Sequence, residues 1–529
     1  MRDSLTGTGT LVRLALRRTR FALLWWFLGI TVLYPVQALA LEATYPTQAD
    51  LDRLAASVGG NPALLAMAGP DYALDTIGGQ TAWQTSAFGA ILAGLMSTFL
   101  VVRLTRAGEE SGQDELLRAD VTGRAATSAA ALVVTTAMNV ALVVAVALLL
   151  IACGLPGAGS WALALALGCA GLVFMGFALV FCQVSSTTRG AWGMSGAVIA
   201  LAYLLRAVGD VGNGVLSWFS PIGWGQQMRA YADERWWPAL LSLGVASALV
   251  VLARVLFERR DFGAGLRQAR RGPAARTWRG GAYELAWRLQ RPTVIGWLIG
   301  LAVGGLAYGS IGDDVGDLVG DGDLSGVLTG GETGGQALID GFYASAILLL
   351  AIGAAAFGVA STLRVRAEEA SGRLEPLLAT ALSRRSALGG HVLVAVAAST
   401  LGTALAGFAT GLMNGWVSGD YGQVWALTGA GLSYAPAIWV MIGVTVALVG
   451  LVPRLASLAW LAIAYAAVVM FFGPLLDFPS WVEDVSPFSH PALVPLEDLS
   501  LPPLLWLTAV AAALAVAGFL GFRRRDVQG

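Results

Sequence analysis

Apolar positions in this chain fall into twelve runs that are long enough to cross a membrane as helices. About 20 consecutive apolar residues allow a helix to span the hydrocarbon core of a bilayer. The pattern therefore predicts an all-α polytopic membrane protein with twelve transmembrane helices. Their approximate positions are 21–41, 85–104, 127–152, 160–184, 191–209, 238–257, 293–312, 341–363, 387–413, 425–449, 456–474 and 503–522.

Charged residues predict how these helices are oriented. Only 13% of the 529 residues are charged, against about 25% in soluble domains. If the N-terminus is cytoplasmic, 29 of the 33 basic residues fall in cytoplasmic segments, where membrane proteins carry an excess of basic residues. We therefore predict a multi-pass protein of the bacterial plasma membrane with both termini in the cytoplasm.

Composition excludes several kinds of chemistry. All 33 basic residues are arginine, and the chain has two histidines and three cysteines. Without lysine there is no P-loop to hold ATP phosphates, so ATP-driven work requires a separate ATPase. So few histidines and cysteines argue against a typical transition-metal centre. We predict no catalytic residue, no cofactor held by this chain in its own right and no enzyme activity of its own.

The chain contains an internal repeat, because residues 106–124 align with 366–384 at a constant offset of 260. A second repeated motif, Phe257–Asp261 and Phe522–Asp526, closes each half. Each half has six spans, and an even number of spans predicts a parallel repeat. Identical pairs in the first alignment include Arg106/Arg366, Glu109/Glu369, Ser111/Ser371, Gly112/Gly372, Glu115/Glu375, Leu117/Leu377 and Arg124/Arg384.

The repeat predicts three parts of the chain. Residues 1–262 form a first transmembrane half, 263–292 a cytoplasmic arginine-rich linker with an interfacial helix, and 293–529 a second transmembrane half. Clustered arginines beside a membrane attract anionic headgroups. We therefore expect the linker to contact membrane lipids and predict no nucleic-acid partner.

The repeated segments 106–124 and 366–384 are the strongest candidates for a functional site. Arginines there follow from a cytoplasmic location, whereas acidic residues contribute little to topology, so their retention predicts docking onto a two-fold cytoplasmic partner. On one continuous helix, Glu109 and Glu115 would lie roughly 120° apart. We expect such glutamates to be shared between docking and local pairing with Arg106, Arg118, Arg366 and Arg373. The predicted docking residues are Arg106, Glu109, Glu110, Glu115, Leu117, Arg366, Glu368, Glu369, Glu375 and Leu377.

The second segment resembles a known family signature. Residues 368–384 read EEASGRLEPLLATALSR, which is similar to the EE…GRLEPLLATPVSR signature of ABC-2 type permeases. The fused six-plus-six arrangement resembles actinobacterial exporters of polyketide antibiotics, of the tetronasin-resistance type. Ala381 departs from the family's proline, and the first copy reads LLRAD at 116–120. These departures leave open whether the two docking surfaces are equal.

The resemblance implies a function and two kinds of partner. It implies the permease subunit of an ATP-driven ABC exporter, in which 106–124 and 366–384 are coupling segments. Two copies of a separate ABC ATPase would carry ATP and Mg, and the cargo would be a hydrophobic or amphiphilic small molecule that is drug-like or lipid-like. In this family the second and fifth spans line the pathway, so the expected pathway residues are Phe99, Tyr203, Phe357 and Tyr465.

Two other functions are open at this point. Residues 117–124 approximate the loop motif of major-facilitator transporters, which predicts an ion-coupled drug antiporter. The second copy lacks the matching Asp and Gly, the first external loop at 42–84 is long, and no span carries a clear acidic residue for proton coupling. A membrane-embedded glycosyltransferase would need a carboxylate cluster with metal-site spacing, which the sequence does not show.

The acidic loop between the seventh and eighth spans contains a candidate calcium site. Asp321, Asp323, Ser325 and Glu332 have the spacing of an EF-hand calcium loop. Flanking helices of the EF-hand type are not evident. The spacing alone supports calcium as a possible ligand of this loop.

Overall fold

The computed structural model describes residues 3–59, 62–118, 122–261, 263–266, 281–310, 335–380, 382–476 and 479–525. It is 83% helical and shows no strand in the part of the chain that it describes. Twelve of its helices are long and apolar enough to cross a membrane. The predicted class, an all-α polytopic membrane protein with twelve spans, is confirmed.

We number the twelve long helices in chain order, and each overlaps one predicted span. In the first half they are α1 Thr8–Thr44, α2 Ile77–Leu104, α3 Ala126–Ala152, α4 Gly157–Val184, α5 Thr188–Val211 and α6 Trp237–Arg259. In the second half they are α7 Gly281–Gly309, α8 Gly335–Ala370, α9 Arg384–Ser418, α10 Val424–Leu451, α11 Ala459–Leu476 and α12 Leu501–Arg524.

The chain divides into two compact units, Met1–Pro273 and Ala274–Gly529, with six long helices in each. The boundary falls within the linker that the sequence predicts at 263–292. The interfacial helix expected there is the first part of α7, which continues from Gly281 through Pro292 to Gly309. Hydropathy detects only the apolar part of a helix, so the amphipathic turns before it look like a separate element.

Helices α2 and α4 form the centre of the first unit. Small residues bring them close together: a Cβ at Gly94 would lie 2.6 Å from the Phe174 ring. Nearby, the Asn139 side-chain amide of α3 donates to the Ser97 hydroxyl across 3.0 Å. Close contacts at small residues and hydrogen bonds between helices are the usual means of packing transmembrane helices. Helix α6 packs on the outer side of α4.

The second unit repeats this arrangement with α8 and α10 at its centre. Most of each is buried, and Tyr343 of α8 donates a hydrogen bond of 2.7 Å to Asn414 of α9. Helix α12 packs along α10, as α6 packs along α4. In both units the second and fourth long helices are therefore the innermost, and the sixth contacts the fourth.

Candidate functional site

Each of the predicted coupling segments, 106–124 and 366–384, bends at a glycine. In the first unit, the helices Arg106–Glu110 and Gln113–Arg118 meet at Gly112, whose φ is 73°. In the second unit, α8 ends at Ala370 and a short helix, Leu374–Leu378, follows Gly372, whose φ is 69°. Positive φ favours glycine because it lacks a Cβ. The separation of roughly 120° that one continuous helix would give therefore does not apply, because the helix is interrupted at these glycines.

Glu109 lies in a buried cluster and not on an exposed surface. Its carboxylate accepts from Arg106 Nη1 at 2.6 Å and from Arg260 at 2.5 and 2.8 Å. The three side chains are at most 5% exposed. Two arginines therefore bind one carboxylate away from water, and Arg260 directly follows the last residue of α6. The predicted pair with Arg106 forms, and the pair with Arg260 was not predicted.

Hydrogen bonds complete this first cluster. Arg106 donates to the carbonyls of Gly263 and Ala264 at 2.8 and 3.3 Å. Arg260 donates through Nε to the Gln183 side chain at 2.6 Å and through Nη1 to the Ala264 carbonyl at 2.9 Å. Burying charge is costly unless geometry and additional hydrogen bonds compensate for it. These contacts offset part of the cost, while Arg106 Nε is buried without a partner among the described residues. They join the coupling segment to the ends of α4 and α6.

The second unit contains the same cluster. Glu369 is fully buried and accepts from Arg525 at 2.5 and 2.7 Å. Arg366, which is partly exposed, lies 3.3 Å from the same carboxylate. Arg525 directly follows the last residue of α12, as Arg260 follows α6. The predicted local pair again forms, and again the stronger partner is an arginine that sequence reasoning did not assign.

The far end of each segment contacts the backbone carbonyl of the same arginine, Arg260 in the first unit and Arg525 in the second. Arg124 donates to the Arg260 carbonyl at 3.0 Å. Arg384 donates to the Arg525 carbonyl at 2.5 Å. In each unit, Arg260 or Arg525 is therefore bound both by a glutamate near the start of the segment and by an arginine at its end.

The repeated Phe of the closing motif takes part as well. The Arg260 guanidinium lies over the Phe257 ring at 5.4 Å, and that of Arg525 lies over Phe522 at 4.8 Å. Such cation–π contacts orient an arginine. The shared motif at the end of each half, a Phe followed three residues later by Arg, was the sequence signal for these two arginines.

The remaining predicted acidic residues have different surroundings. Glu110 accepts from the Thr188 backbone N–H at 2.7 Å, at the start of α5. Glu368 accepts from Arg373 at 2.7 Å and lies 3.7 Å from Arg364.

Glu115 and Glu375 differ from all of these, because both are exposed. Neither forms an ion pair with another residue whose side chain the structure describes. Leu377 is half-buried, and the side chain of Leu117 lies outside the described residues. Each segment therefore leaves the exposed face of one short helix, Gln113–Arg118 or Leu374–Leu378, available for contact with a partner.

The predicted pathway aromatics of the first unit have defined packing partners. Phe99 lies between Trp26 and Trp192, with ring centroids 6.3 and 6.5 Å apart. The Tyr203 hydroxyl donates to the Met67 carbonyl at 3.0 Å. Phe99 therefore packs in the helix bundle, and Tyr203 fastens the segment between α1 and α2 to α5.

The corresponding aromatics of the second unit behave similarly. Phe357 is 2% exposed and packs against Trp297 at 5.9 Å. The Tyr465 hydroxyl donates to the Val482 carbonyl of the loop after α11. The four residues thus lie in separate local contacts, and their exposure to cargo stays a prediction.

The predicted calcium residues Asp321, Asp323, Ser325 and Glu332 lie outside the described residues. Within the described ranges, no group of three or more His, Cys, Asp or Glu side chains could hold a metal ion. Calcium binding by the loop stays a prediction.

In the described residues, twelve membrane-length helices fall into two units, and each unit has a segment anchored by a buried ion pair. These features define an all-α polytopic membrane protein. Residues 280–523 match a family model described as the C-terminal domain of the multidrug efflux system permease Rv1217c. The chain is 39% identical over 526 residues to the multidrug efflux system permease protein Rv1217c of Mycobacterium tuberculosis (strain ATCC 25618 / H37Rv), covering 99% of this chain and 96% of that protein. The chain belongs to the family of this permease.

Proposed function

We propose that this chain is the permease subunit of an exporter that moves hydrophobic or amphiphilic small molecules out of the cell, driven by two copies of a separate ABC ATPase. Three observations support the proposal. The related mycobacterial protein is named a multidrug efflux system permease. Residues 368–384 resemble the ABC-2 coupling signature, and the chain has no lysine with which to build its own P-loop.

The observation that carries the ATPase partnership is the exposure of Glu115 and Glu375. The other charged residues identical between the two segments, Arg106/Arg366, Glu109/Glu369 and Arg124/Arg384, all make contacts within their own unit. Both glutamates lie in the first turn of a short helix, where an acidic residue is favoured by the helix dipole. Their exposure in both copies fits docking onto two identical cytoplasmic subunits.

In this mechanism the permease changes between two conformations. ATP, held with Mg by the ATPase subunits, would close the ATPase dimer and move both coupling segments. Such a ligand shifts the equilibrium only by its difference in affinity for the two conformations. The residues of this chain supply the docking helices and the buried anchors, and the ATPase supplies the hydrolysis.

The test reverses the two exposed charges. The double variant Glu115→Arg/Glu375→Arg should reach the membrane normally, because exposed side chains contribute typically below 1 kcal/mol to folding. It should lose co-purification with the ABC ATPase that binds the unaltered chain, and it should lose drug efflux. The matched control is Glu258→Arg, which changes an exposed glutamate of α6 paired only with the partly exposed Arg254.

The control should bind the ATPase and export normally. If the double variant also binds and exports normally, the docking role of these residues is wrong. If efflux by the unaltered chain needs no ATPase and stops when the proton gradient is collapsed, the ion-coupled antiporter is correct instead.

A further inference from the structure

The residue that follows the sixth span of each half, Arg260 or Arg525, contacts both ends of the coupling segment of its own unit. We propose that Arg260 and Arg525 are positioning residues that transmit movement of each coupling segment to the last span of its own half. The inference rests on the proposed function, because it requires a partner that moves the segments. To the proposed function, the inference adds the helix that receives the movement and the atoms that transmit it.

The first step of the argument is geometric. Arg260 is held through its guanidinium by Glu109, at 2.5 and 2.8 Å, and through its carbonyl by Arg124, at 3.0 Å. Arg525 is held in the same way by Glu369 and Arg384. Glutamate and arginine are 15 residues apart in both segments. Contacts at both ends leave each segment little freedom to move without the arginine that it encloses.

The second step concerns the strength of the link. Glu109 and Glu369 are nearly inaccessible to water, so each ion pair is little screened, and removing one partner would leave a buried charge. An exposed pair one turn earlier on α6, Arg254 with Glu258, lies in water and should contribute little. A buried double hydrogen bond can therefore transmit a displacement that the exposed pair cannot.

The third step concerns what the last spans contact. Most of α6 and of α12 is exposed on the surface of the unit, which leaves each helix with one main neighbour. Helix α6 packs on α4, and α12 packs on α10, and α4 and α10 are among the innermost helices. Movement of a coupling segment would thus pass through the arginine to the last span and from there to the centre of the unit.

The experiment compares Arg260→Gln and Arg525→Gln with Arg254→Gln and Arg524→Gln, which remove the partly exposed Arg254 of α6 and the exposed Arg524 of α12. Membrane level, co-purification with the ATPase, ATPase activity with and without cargo, and efflux are measured for each. We expect the first pair to keep ATPase binding and basal hydrolysis. Cargo stimulation and efflux should fall about fivefold or more, within the usual range of coupling between sites. Arg260→Lys and Arg525→Lys keep the charge and should recover part of the loss.

The outcomes separate this inference from the proposed function. Normal cargo stimulation and efflux in both glutamine variants would overturn the transmission role and leave the docking proposal intact. If the unaltered chain binds no ATPase, the proposed function fails first. If the glutamine variants do not accumulate, Arg124→Gln and Arg384→Gln remove the contact to the carbonyl and leave the buried glutamate pairs in place. Arg124 also lies over the Phe257 ring at 5.5 Å, and Arg384 also donates to the Arg523 carbonyl at 3.4 Å. Reduced cargo stimulation in these two supports the inference, and wild-type behaviour contradicts it.

Discussion

Arg206 illustrates how a buried arginine in this chain joins neighbouring helices through its guanidinium. Its side chain is completely buried near the end of α5. The guanidinium donates to the carbonyls of Leu65 and Met67 at 3.2 and 2.9 Å and lies 3.5 Å from Asp210. These carbonyls lie in the last turn of the short helix Pro62–Ala68, where a cation is favoured by the helix dipole. One side chain therefore fixes this short helix to α5.

Replacing Arg206 should destabilise the protein strongly. Arg206→Met leaves two carbonyls and the Asp210 carboxylate without their cation, and losing one partner of a buried pair costs about 3–5 kcal/mol. Arg53→Met is the control, because Arg53 is 78% exposed in its pair with Asp50. Loss of the Arg53–Asp50 pair should lower the free energy of unfolding by less than about 1 kcal/mol. Thermal unfolding of the purified protein in detergent measures both, and equal melting temperatures would contradict this role of Arg206.

Sequence alone could not separate the glutamates of the coupling segments. Charge placement predicted a cytoplasmic functional segment and the local pairs with Arg106 and Arg366. Which carboxylate is buried depends on the bend at each glycine and on arginines about 150 residues away, and neither is visible in a local pattern. The distant partners, Arg260 and Arg525, were marked in the sequence only by the repeated closing motif.

At the scale of elements, hydropathy predicted the number of membrane helices and their order. It did not predict their ends, since α1 begins at Thr8, well before its apolar run. Hydropathy reports the part of a helix that lies in hydrocarbon, whereas hydrogen bonding continues the helix into the polar region. The bend at Gly112 is a further case, because the residues on both sides are compatible with helix and only the backbone conformation shows the break.

Replacing a glycine by alanine should change the stability of the protein in opposite directions at two open positions, one with positive φ and one inside a helix. A Cβ at Gly112 meets nothing within 4 Å, but its φ of 73° makes alanine cost about 1 kcal/mol or more. Gly193 has the same open surroundings inside α5, where alanine should stabilise by about 0.5–1 kcal/mol. The melting temperature of Gly112→Ala should therefore fall, and that of Gly193→Ala should rise. A rise in both variants would show that the turn tolerates a Cβ.

At the scale of the whole chain, the internal repeat was predictable but its asymmetry was not. In the first unit Glu110 accepts from the Thr188 N–H, so that segment is also fastened to α5. At the offset of 260 that aligns the two segments, the second unit has Ala370 in place of Glu110. Alanine has no carboxylate, so it cannot form this contact. The second segment thus has fewer anchors, and its movement should be less restricted.

The orientation of the whole chain is a prediction that labelling can decide. With 29 of 33 arginines on one side, that side should be the cytoplasm. Cys153, Cys169 and Cys182 are first replaced by alanine, and single cysteines are introduced at the exposed positions Arg53, Asp420 and Ser371. A membrane-impermeant maleimide should label Arg53→Cys and Asp420→Cys in intact cells, and should label Ser371→Cys only after permeabilisation. Labelling of Ser371→Cys in sealed cells would place the coupling segments outside and exclude a cytoplasmic ATPase as their partner.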